Sequence, residues 1–355
     1  MKILIVRLSA LGDIVHALPV LAAIKKTMPD ARVDWLVEAN YAAILSLAVG
    51  LNRRVVVRAK TSGETPDTTT FTSGGGYWRA ARYLRAQRYD VALDLQGLLK
   101  SAVWARTSGA RRVIGFDRAH LREQLAASFY SETVMPNRPS GQQAIGPSGE
   151  HVIQKNLSIL SALKIAPAAP ELRLQPVATP EMAMAIQVSG GSNGYIVINP
   201  GAAWPNKCWP PDRFGAVARA LQDRTGLHSL VTWGPKERAL ADAVAQASGG
   251  AAMPAPPTSV SDLAALMQSA ALVISGDTGP LHIAAAVGTP IVGLFGPTRP
   301  ERNGPWDPKD EVITRSDTCV CHHKRQCIRG APCINEIVID QVIGAAERRL
   351  KSRRR

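Results

Sequence analysis

Short apolar runs alternate with longer amphipathic segments through residues 1–165. A short apolar run bounded by turn residues predicts a buried strand, and a longer segment of helical periodicity predicts a helix. Strands that alternate with helices indicate a parallel α/β sheet with right-handed crossovers. The predicted strands are 2–8, 33–37, 54–57, 91–95 and 113–116, and the predicted helices are 14–28, 39–48, 77–87, 98–107 and 151–163.

The same pattern starts again after a break rich in proline, serine and glycine. We therefore expect two Rossmann-like domains, at 1–168 and 195–335, whose parallel sheets face each other across a cleft. Residues 169–194 would join them, and a C-terminal helix and basic tail would occupy 336–355. In such sheets, ligands bind beyond the carboxyl ends of the strands. In the second domain the predicted strands are 195–199, 229–233, 271–275 and 290–295, and the predicted helices are 211–225, 236–247, 260–269 and 283–287.

Composition narrows the class of partner. The chain has 355 residues, a formal net charge of +14 and a pI of about 9.9, which favours an anionic partner. RRM, homeodomain and paired zinc-finger patterns are absent from the sequence, so we expect no nucleic acid. Arg7 and Asp13 interrupt the segment that looks most like a signal peptide, and no apolar run is long enough to span a bilayer. We expect a cytoplasmic protein.

The stretch 275–282 has the strongest pattern of candidate chemistry. It follows an apolar run and precedes a helix of small residues. Thr278 is a candidate N-cap, and amides at a helix start, with Gly279 allowing close approach, form an anion site. Asp277 and His282 would lie at the same crevice. The alternative is an ordinary strand-to-helix turn with an Asp/Thr cap.

Three further charged residues follow predicted strands or turns. Asp13 comes just after Gly12 near the end of the first strand, where a carboxylate can act as a general base. Lys207 lies shortly after the turn at Gly201, where an ammonium group suits a pyrophosphate. Glu237 opens a predicted helix and could accept hydrogen bonds from ribose hydroxyls. The alternatives are acids that match the helix dipole for Asp13 and Glu237, and a surface position for Lys207.

Basic residues gather around the third predicted strand, at Arg53, Arg54, Arg58 and Lys60. They could hold an anionic acceptor, and the alternative is a basic surface face. The next stretch, 61–76, is rich in Thr, Ser and Gly and predicts a mobile loop. Residues 132–149 look irregular. The basic tail 347–355 could contact anionic lipid, and the alternative is a solvated tail.

Four of the five cysteines fall close together, with two histidines between them: Cys319, Cys321, His322, His323, Cys327 and Cys333. Thiolates and imidazoles at short spacing can hold a structural metal such as zinc, but the spacing lacks paired C-x2-C units. A cytosolic location disfavours structural disulfides. Two interpretations stay open, a structural metal site and free or redox-labile thiols, and we expect no catalysis there.

Several motifs together are more specific than any one of them, in the order 9–19 (SALGDIVHALP), 94–100 (DLQGLLK), 199–210 (NPG and KCWP) and 276–298 (GDTGPLH through FGPT). To about residue 300, the chain resembles the ADP-heptose:lipopolysaccharide heptosyltransferases, inverting glycosyltransferases of family 9. The resemblance implies a GT-B fold, whose first domain binds the acceptor and whose second binds the donor. Residues 34–38 and 122–130 are most similar to type I members, which use Kdo2-lipid A as acceptor, whereas the cysteine segment is more similar to type II.

The resemblance also implies a role for each matching residue. Asp13 would be the catalytic base. ADP-heptose would be the donor, without a required cofactor, and Kdo2-lipid A the acceptor, met at the cytoplasmic face of the inner membrane. The acceptor's acidic groups would contact Arg58, Lys60 and Arg122. In the donor site, the phosphates would contact Lys207, Thr278 and Gly279, and the ribose would contact Glu237. The heptose would face Asp277 and His282.

Other interpretations predict different behaviour. Another member of the same family would add a later heptose and prefer an acceptor that already carries one. A non-catalytic nucleotide- or anion-binding module would bind ADP without sugar transfer and would not need Asp13. A nicotinamide dehydrogenase is disfavoured because no G-x-G-x-x-G follows a predicted strand. Ala202 and Ala203 stand where some relatives have hydroxyl residues near the phosphates.

Overall fold

A computed structural model describes residues 1–61, 63–73, 75–136, 151–166, 169–190, 194–322 and 324–353. The chain forms two compact units, Met1–Gln175 and Pro176–Arg355. Each unit has its own sheet of mainly parallel strands with helices between them, so the predicted α/β class is confirmed. Most of the predicted irregular segment 132–149 lies outside the described residues.

The first unit is built on one sheet, whose middle strands are buried on both faces. Such burial explains why their sequences are uninterrupted apolar runs. All five strands predicted here are confirmed, with ends shifted by at most two residues. The order across the sheet is β4-β5-β3-β2-β1-β6-β7-β8, and neighbours are parallel except in the β4–β5 hairpin. Its strands, within the described residues, are β1 (Lys2–Val6), β2 (Arg32–Glu38), β3 (Arg53–Ala59), β4 (Gly63–Thr65), β5 (Thr68–Thr72), β6 (Val91–Asp94), β7 (Arg112–Phe116) and β8 (Glu132–Val134).

The helices of the first unit depart from prediction at three places. The predicted helix 14–28 is two helices, because the chain turns at Ala17 and Pro19, which has no N–H, lies in the first turn of the next helix. The predicted helix 39–48 is a 3₁₀ helix, and the predicted helix 151–163 continues as a 3₁₀ helix from Ile159. The α-helices are α1 (Leu11–Val15), α2 (Leu18–Thr27), α3 (Gly76–Ala86), α4 (Leu99–Thr107) and α5 (Val152–Ser158), and the 3₁₀ helices are Ala39–Leu47, Arg118–His120, Gln124–Phe129 and Ile159–Leu163.

The predicted mobile loop 61–76 instead contains the β4–β5 hairpin. Alternate side chains of β5 are buried, and β-branched threonine suits a half-buried strand. Arg53 Nη1 donates to Glu64 Oε1 at 2.5 Å, and Arg54 pairs with Asp67. These two arginines therefore fasten the hairpin, which corrects their placement in an acceptor-binding group.

The second unit has a fully parallel sheet in the order β11-β10-β9-β12-β13-β14. The four strands predicted here are confirmed, and the short outer strands β11 and β14 were not predicted. Within the described part of this unit the strands are β9 (Ile196–Asn199), β10 (Ser229–Val231), β11 (Ala252–Pro254), β12 (Leu272–Gly276), β13 (Ile291–Phe295) and β14 (Glu311–Thr314).

The helices of the second unit pack on both faces of this sheet. One of them lies in the segment predicted as a connection, and the last one lies where a C-terminal helix was predicted. The connection 169–194 contains a helix that packs against the helix Val260–Ser269, and Thr179 N donates to Asp262 Oδ1 at 2.8 Å. The α-helices are α6 (Pro180–Gly190), α7 (Pro211–Thr225), α8 (Arg238–Ala247), α9 (Val260–Ser269), α10 (Gly279–Ala286), α11 (Pro300–Asn303) and α12 (Ile339–Arg353), and the 3₁₀ helices are Pro205–Lys207 and Cys333–Glu336.

The basic tail is more ordered than a solvated tail would be. Helix α12 packs against α7, β13 and β14, and Arg349 is buried in ion pairs with Asp310 and Asp307, at 2.8 and 3.1 Å. This packing corrects the solvated-tail alternative as far as residue 353. Across the part of the chain that the structure describes, no helix is both long and apolar enough to cross a bilayer.

Candidate active site

In both sheets the chain runs outward from a central strand and later returns to that strand's other side. β1 is followed by β2 and β3 on one side and then by β6 on the other, and β9 is followed by β10 and β11 and then by β12. Loops diverge at such a switch and leave a crevice at the carboxyl edge of the sheet. Asp13 follows β1 and Asp277 follows β12, so each lies at the switch point of its own unit.

Asp13 lies in the first turn of α1, where Arg7 fixes its orientation. Asp13 Oδ1 is 2.9 Å from Arg7 Nη2, and Asp13 Oδ2 accepts from Ala10 N at 3.2 Å. The Arg7 side chain is only 9% exposed and also donates to the Leu95 carbonyl, whereas the Asp13 side chain is 42% exposed. A core-anchored guanidinium therefore holds a carboxylate that solvent can reach.

The turn after β6 is fastened to the loop that carries Asp13. Gln96 Oε1 accepts from Leu8 N at 2.8 Å, and Gln96 Nε2 donates to Ser9 Oγ at 3.4 Å. Burial raises the pKa of Asp94, the residue that shapes this turn. Its carboxylate accepts hydrogen bonds from the amides of Gln96 and Gly97 and the hydroxyls of Ser101 and Tyr130.

The predicted acceptor residues Arg58, Lys60 and Arg122 are all exposed. Arg58 Nη1 and Lys100 Nζ both donate to Glu38 Oε1, at 3.2 and 3.1 Å. Glu38 ends β2, and its side chain is 15% exposed. The structure therefore adds Lys100 to the cations at this edge, whereas no ion pair among the described residues fixes Lys60.

Arg122 is held near the same edge by its neighbour. Glu123 Oε2 accepts from Leu99 N at 2.7 Å, at the first residue of α4 and next to Lys100. The segment with Arg122 therefore packs against the helix start that presents Lys100. Arg58, Lys100 and Arg122 all belong to the carboxyl edge of the first sheet.

Lys207 and Asp277 form a buried ion pair in the second unit. Lys207 Nζ lies 2.6 Å from Asp277 Oδ2, and the two side chains are 15% and 3% exposed. The ammonium also lies over the Trp204 ring, 4.8 Å from its centroid. The backbone of Lys207 passes close to residue 276, and this requires glycine there, because a Cβ at Gly276 would lie 2.9 Å from the Lys207 carbonyl oxygen.

Asp277 has further partners on both of its oxygens. Thr298 Oγ1 donates to Oδ2 at 2.7 Å, Asn303 Nδ2 donates to Oδ1 at 2.8 Å, and His282 Nε2 lies 3.4 Å from Oδ1. Burial alone would raise the pKa of Asp277, but the His282 hydrogen bond and the Lys207 ammonium outweigh it and hold that pKa below its usual range. Asp277 thus organises its neighbours, and its direct contact with a sugar, like that of His282, stays a prediction.

Thr278 occupies the N-cap position of α10 with extended backbone (φ −144°, ψ 171°), but its side chain makes no capping hydrogen bond. Asn199 Nδ2 instead donates to Thr278 Oγ1 at 3.3 Å, and Thr232 Oγ1 donates to Asn199 Oδ1 at 3.1 Å. The prediction that Thr278 is the N-cap residue of this helix is therefore confirmed, although its side chain does not bond to the first turn. Because no side chain caps the first turn, which begins at Gly279, its amides can serve an anion.

Glu237 lies at the start of α8, beside the turn that follows β9. Its Oε2 accepts from Gly234 N at 2.9 Å. Its carboxylate occupies the space that a side chain at Gly201 would fill, so this position requires glycine. Asn199 Nδ2 donates to the Gly201 carbonyl at 3.1 Å. The structure therefore brings Glu237 to the same switch point as Thr278, through Asn199.

The four clustered cysteines lie between β14 and α12 and pack together as free thiols. Cys321 Sγ lies 3.5 Å from Cys327 Sγ, and Cys319 and Cys333 are buried beside them. Among the residues with described positions, which leave out His323, no group of three or more His, Cys, Asp or Glu side chains is arranged to hold a metal ion.

Several residues of these sites were not identified from the sequence. Arg7 follows an apolar run and resembles the polar residue that ends a strand. Glu38 and Lys100 lie within the motifs 34–38 and 94–100, which give neither residue a role of its own. Thr298, in the loop after β13, and Asn303, which ends α11, reach Asp277 from more than 20 residues along the chain. Their signal was the polar segment after a buried strand at the same sheet edge.

Comparisons with known proteins agree with this architecture. The model of glycosyltransferase family 9 (heptosyltransferase) matches residues 77–331. The lipopolysaccharide heptosyltransferase 1 of Pseudomonas aeruginosa is 29% identical over 330 residues, 92% of this chain and 87% of that protein. The lipopolysaccharide heptosyltransferase 3 of Escherichia coli is 30% identical over 303 residues, 83% of each chain.

The fold agrees as well. The solved structure of the E. coli heptosyltransferase WaaC with ADP matches with a TM-score of 0.75 and 23% identity, over 98% of this chain and 99% of that one. The two parallel-sheet units are thus those of a GT-B fold. Because the family model spans well over half of the residues, the chain belongs to glycosyltransferase family 9, the heptosyltransferases, and is a glycosyltransferase.

Proposed function

We propose that this protein transfers a heptose from ADP-heptose to a Kdo sugar of Kdo2-lipid A in lipopolysaccharide inner-core synthesis. The observation that carries the donor half is the buried Lys207–Asp277 pair beside the uncapped start of α10. A fixed ammonium beside helix amides that no side chain caps suits the negative charge of a diphosphate. The similarity to a heptosyltransferase 1 supports the acceptor half.

In this proposal Asp13 is the catalytic base and takes the proton of the attacking acceptor hydroxyl. Arg7 keeps the Asp13 carboxylate aimed at the crevice. As the bond from the anomeric carbon to ADP breaks, negative charge grows on the diphosphate. Lys207 and the amides of Thr278 and Gly279 stabilise that charge without needing to rearrange.

Other residues position the two substrates. Glu237 accepts hydrogen bonds from the ribose hydroxyls, and Asp277 fixes the Lys207 ammonium. Arg58, Lys60, Arg122 and the newly identified Lys100 contact the acidic groups of the acceptor. Because that acceptor is a lipid, we also propose a cytoplasmic protein that meets the inner membrane peripherally, at its cytoplasmic face.

A coupled assay of ADP release tests the acceptor assignment. The full chain is incubated with ADP-heptose and either delipidated Kdo-lipid A or a core oligosaccharide that already carries heptose. We expect release with the Kdo acceptor and little with the heptosylated one. ADP binding without release on either acceptor would contradict the enzymatic proposal and favour a binding module.

A second candidate is transfer of a later heptose. It is favoured by the 30% identity to a heptosyltransferase 3, equal to the type 1 similarity within a percentage point. It predicts the reverse preference in the same assay, with release only on the heptosylated acceptor. The donor site would be unchanged under this alternative.

A further inference from the structure

The cysteine segment is not used by the proposed reaction, yet it contains a closely spaced pair of thiols of which one is only half-buried. Cys321 Sγ and Cys327 Sγ are 3.5 Å apart. Cys321 is buried and Cys327 is half-buried, so a small reagent in solvent reaches Cys327 first. The pair is therefore arranged as an outer thiol with a second thiol directly behind it.

The surroundings of this pair favour thiolate chemistry. The Ile328 amide donates to Cys321 Sγ at 3.1 Å and, with Lys324 nearby, holds the pKa of the Cys321 thiol below its ordinary value. Lys324, Arg325 and Arg329 are exposed around the pair. These cations favour the approach of an anionic reagent.

The remaining cysteines have the opposite character. Burial raises the pKa of Cys333 to about 12, with Cys319 beside it. Burial also raises the pKa of Cys208, which lies in another part of the unit. The Cys333 and Cys208 thiols therefore stay protonated and weakly reactive, and Cys319 is buried. These three cysteines serve as matched controls within the same chain.

The cysteine segment contacts the predicted donor site through Asn206. Asn206 Nδ2 donates to the Lys324 carbonyl at 2.8 Å, and Lys324 N donates to the Cys321 carbonyl at 3.1 Å. Asn206 is buried and directly precedes Lys207. A change in the backbone between Cys321 and Cys327 is therefore passed to the residue next to the phosphate-binding lysine.

We propose that Cys321 and Cys327 form a redox-responsive dithiol that closes to a disulfide with a low-molecular-weight disulfide and thereby shifts the Asn206–Lys207 segment. Cys327 Sγ, as thiolate, attacks one sulfur of the small disulfide and expels one thiolate. Cys321 Sγ then attacks Cys327 Sγ in the mixed disulfide and expels the second. The pair loses two electrons, the small disulfide gains them, and the two thiol protons end on the released thiolates. The effect on Lys207 rests on the proposed donor site, whereas the thiol chemistry does not.

Intact-mass measurement of the full chain with oxidised glutathione tests the chemistry. We expect the wild type to lose the mass of two hydrogen atoms and to give one peptide cross-linked between Cys321 and Cys327. Cys321→Ser should instead accumulate a glutathione adduct on Cys327, and Cys327→Ser should give neither product. Cys208→Ser is the control and should behave as the wild type.

Calorimetric titration with ADP tests the coupling. We expect the oxidised protein to bind ADP several-fold more weakly, with recovery on reduction, and the Cys321→Ser/Cys327→Ser variant to be insensitive to oxidant. Unchanged ADP affinity after cross-linking would overturn the coupling. If the reduced wild type binds no ADP, the proposed donor site is wrong, and the thiol chemistry is then judged from the mass measurement alone. A cross-link that involves Cys319 or Cys333, or a zinc or iron ion retained by the purified chain and shielding all four thiols, would overturn the dithiol.

Discussion

Each unit buries an aspartate at the carboxyl end of a central strand, and the two carboxylates have opposite surroundings. Asp94, which ends β6, accepts hydrogen bonds from neutral donors, such as the Ser101 and Tyr130 hydroxyls. Asp277, just after β12, is paired with Lys207 and lies beside His282. Burial raises the pKa of Asp94, whereas the partners of Asp277 overcome burial and lower its pKa.

We interpret Asp94 as a structural carboxylate and propose that Asp277 prepares a binding site. The donors around Asp94 shape a turn and fasten it to the loop that carries Asp13. The carboxylate of Asp277 fixes a cation at the edge of the sheet, where a phosphate can share it. Burial alone therefore does not distinguish the roles of these two carboxylates, which lie at equivalent positions in two similar folds. The charge of their hydrogen-bond partners does.

The largest effect expected from this comparison is on stability. Asp277→Asn leaves Lys207 buried without its counter-charge and should cost about 3–5 kcal/mol at neutral pH. Asp94→Asn turns an amide toward hydrogen-bond donors and should cost about 1–3 kcal/mol. Urea unfolding of the two variants beside the wild type measures both free energies.

The pH dependence of those costs should have opposite signs. The folded pKa of Asp277 is lowered, so its stabilisation is present above the unfolded value of 3.8 and is lost as pH falls. The folded pKa of Asp94 is raised, so its stabilisation is full below 3.8 and is lost as pH rises through the folded value. As pH is lowered, the difference in free energy of unfolding between the wild type and Asp277→Asn should shrink. The difference between the wild type and Asp94→Asn should grow. Equal slopes would break the comparison.

A smaller effect is expected on nucleotide affinity. Lys207→Ala removes a charge-assisted contact worth about 1.5–3 kcal/mol, so the Kd for ADP should rise roughly 10- to 150-fold. Lys351→Ala, on the exposed face of α12, is the matched control. Tyr130→Phe removes a partner of Asp94 and should leave the Kd for ADP unchanged. Equal losses of affinity in the Lys207 and Tyr130 variants would contradict the division between the two aspartates.

The burial of each strand determines how well the sequence predicts it. The central strands β1, β6, β9 and β12 are covered on both faces, so their apolar runs are unmistakable. Outer strands such as β14 are short and half-exposed, and their sequences resemble loops. Strand β5 is rich in threonine and only its alternate side chains are buried, so its composition predicted a mobile loop.

The sites were predictable in part for a related reason. Asp277 follows β12 directly, and Asp13 and Lys207 lie in the first turns after β1 and β9, so their place at the sheet edge could be inferred from local order. The partners that define their chemistry, such as Arg7 on Asp13 and Thr298 on Asp277, depend on side-chain directions that only packing determines. Local sequence therefore identified the acids but not what surrounds them.

We propose that the edge of the first sheet supplies the base while the edge of the second binds the donor. Asp13→Asn tests it most directly, with acceptor-dependent ADP release and ADP affinity measured on the same protein. Loss of the general base should lower turnover by about 10²- to 10⁴-fold, and the Kd for ADP should stay at the wild-type value. Near-normal turnover in Asp13→Asn, or an equal loss of ADP affinity, would contradict the claim.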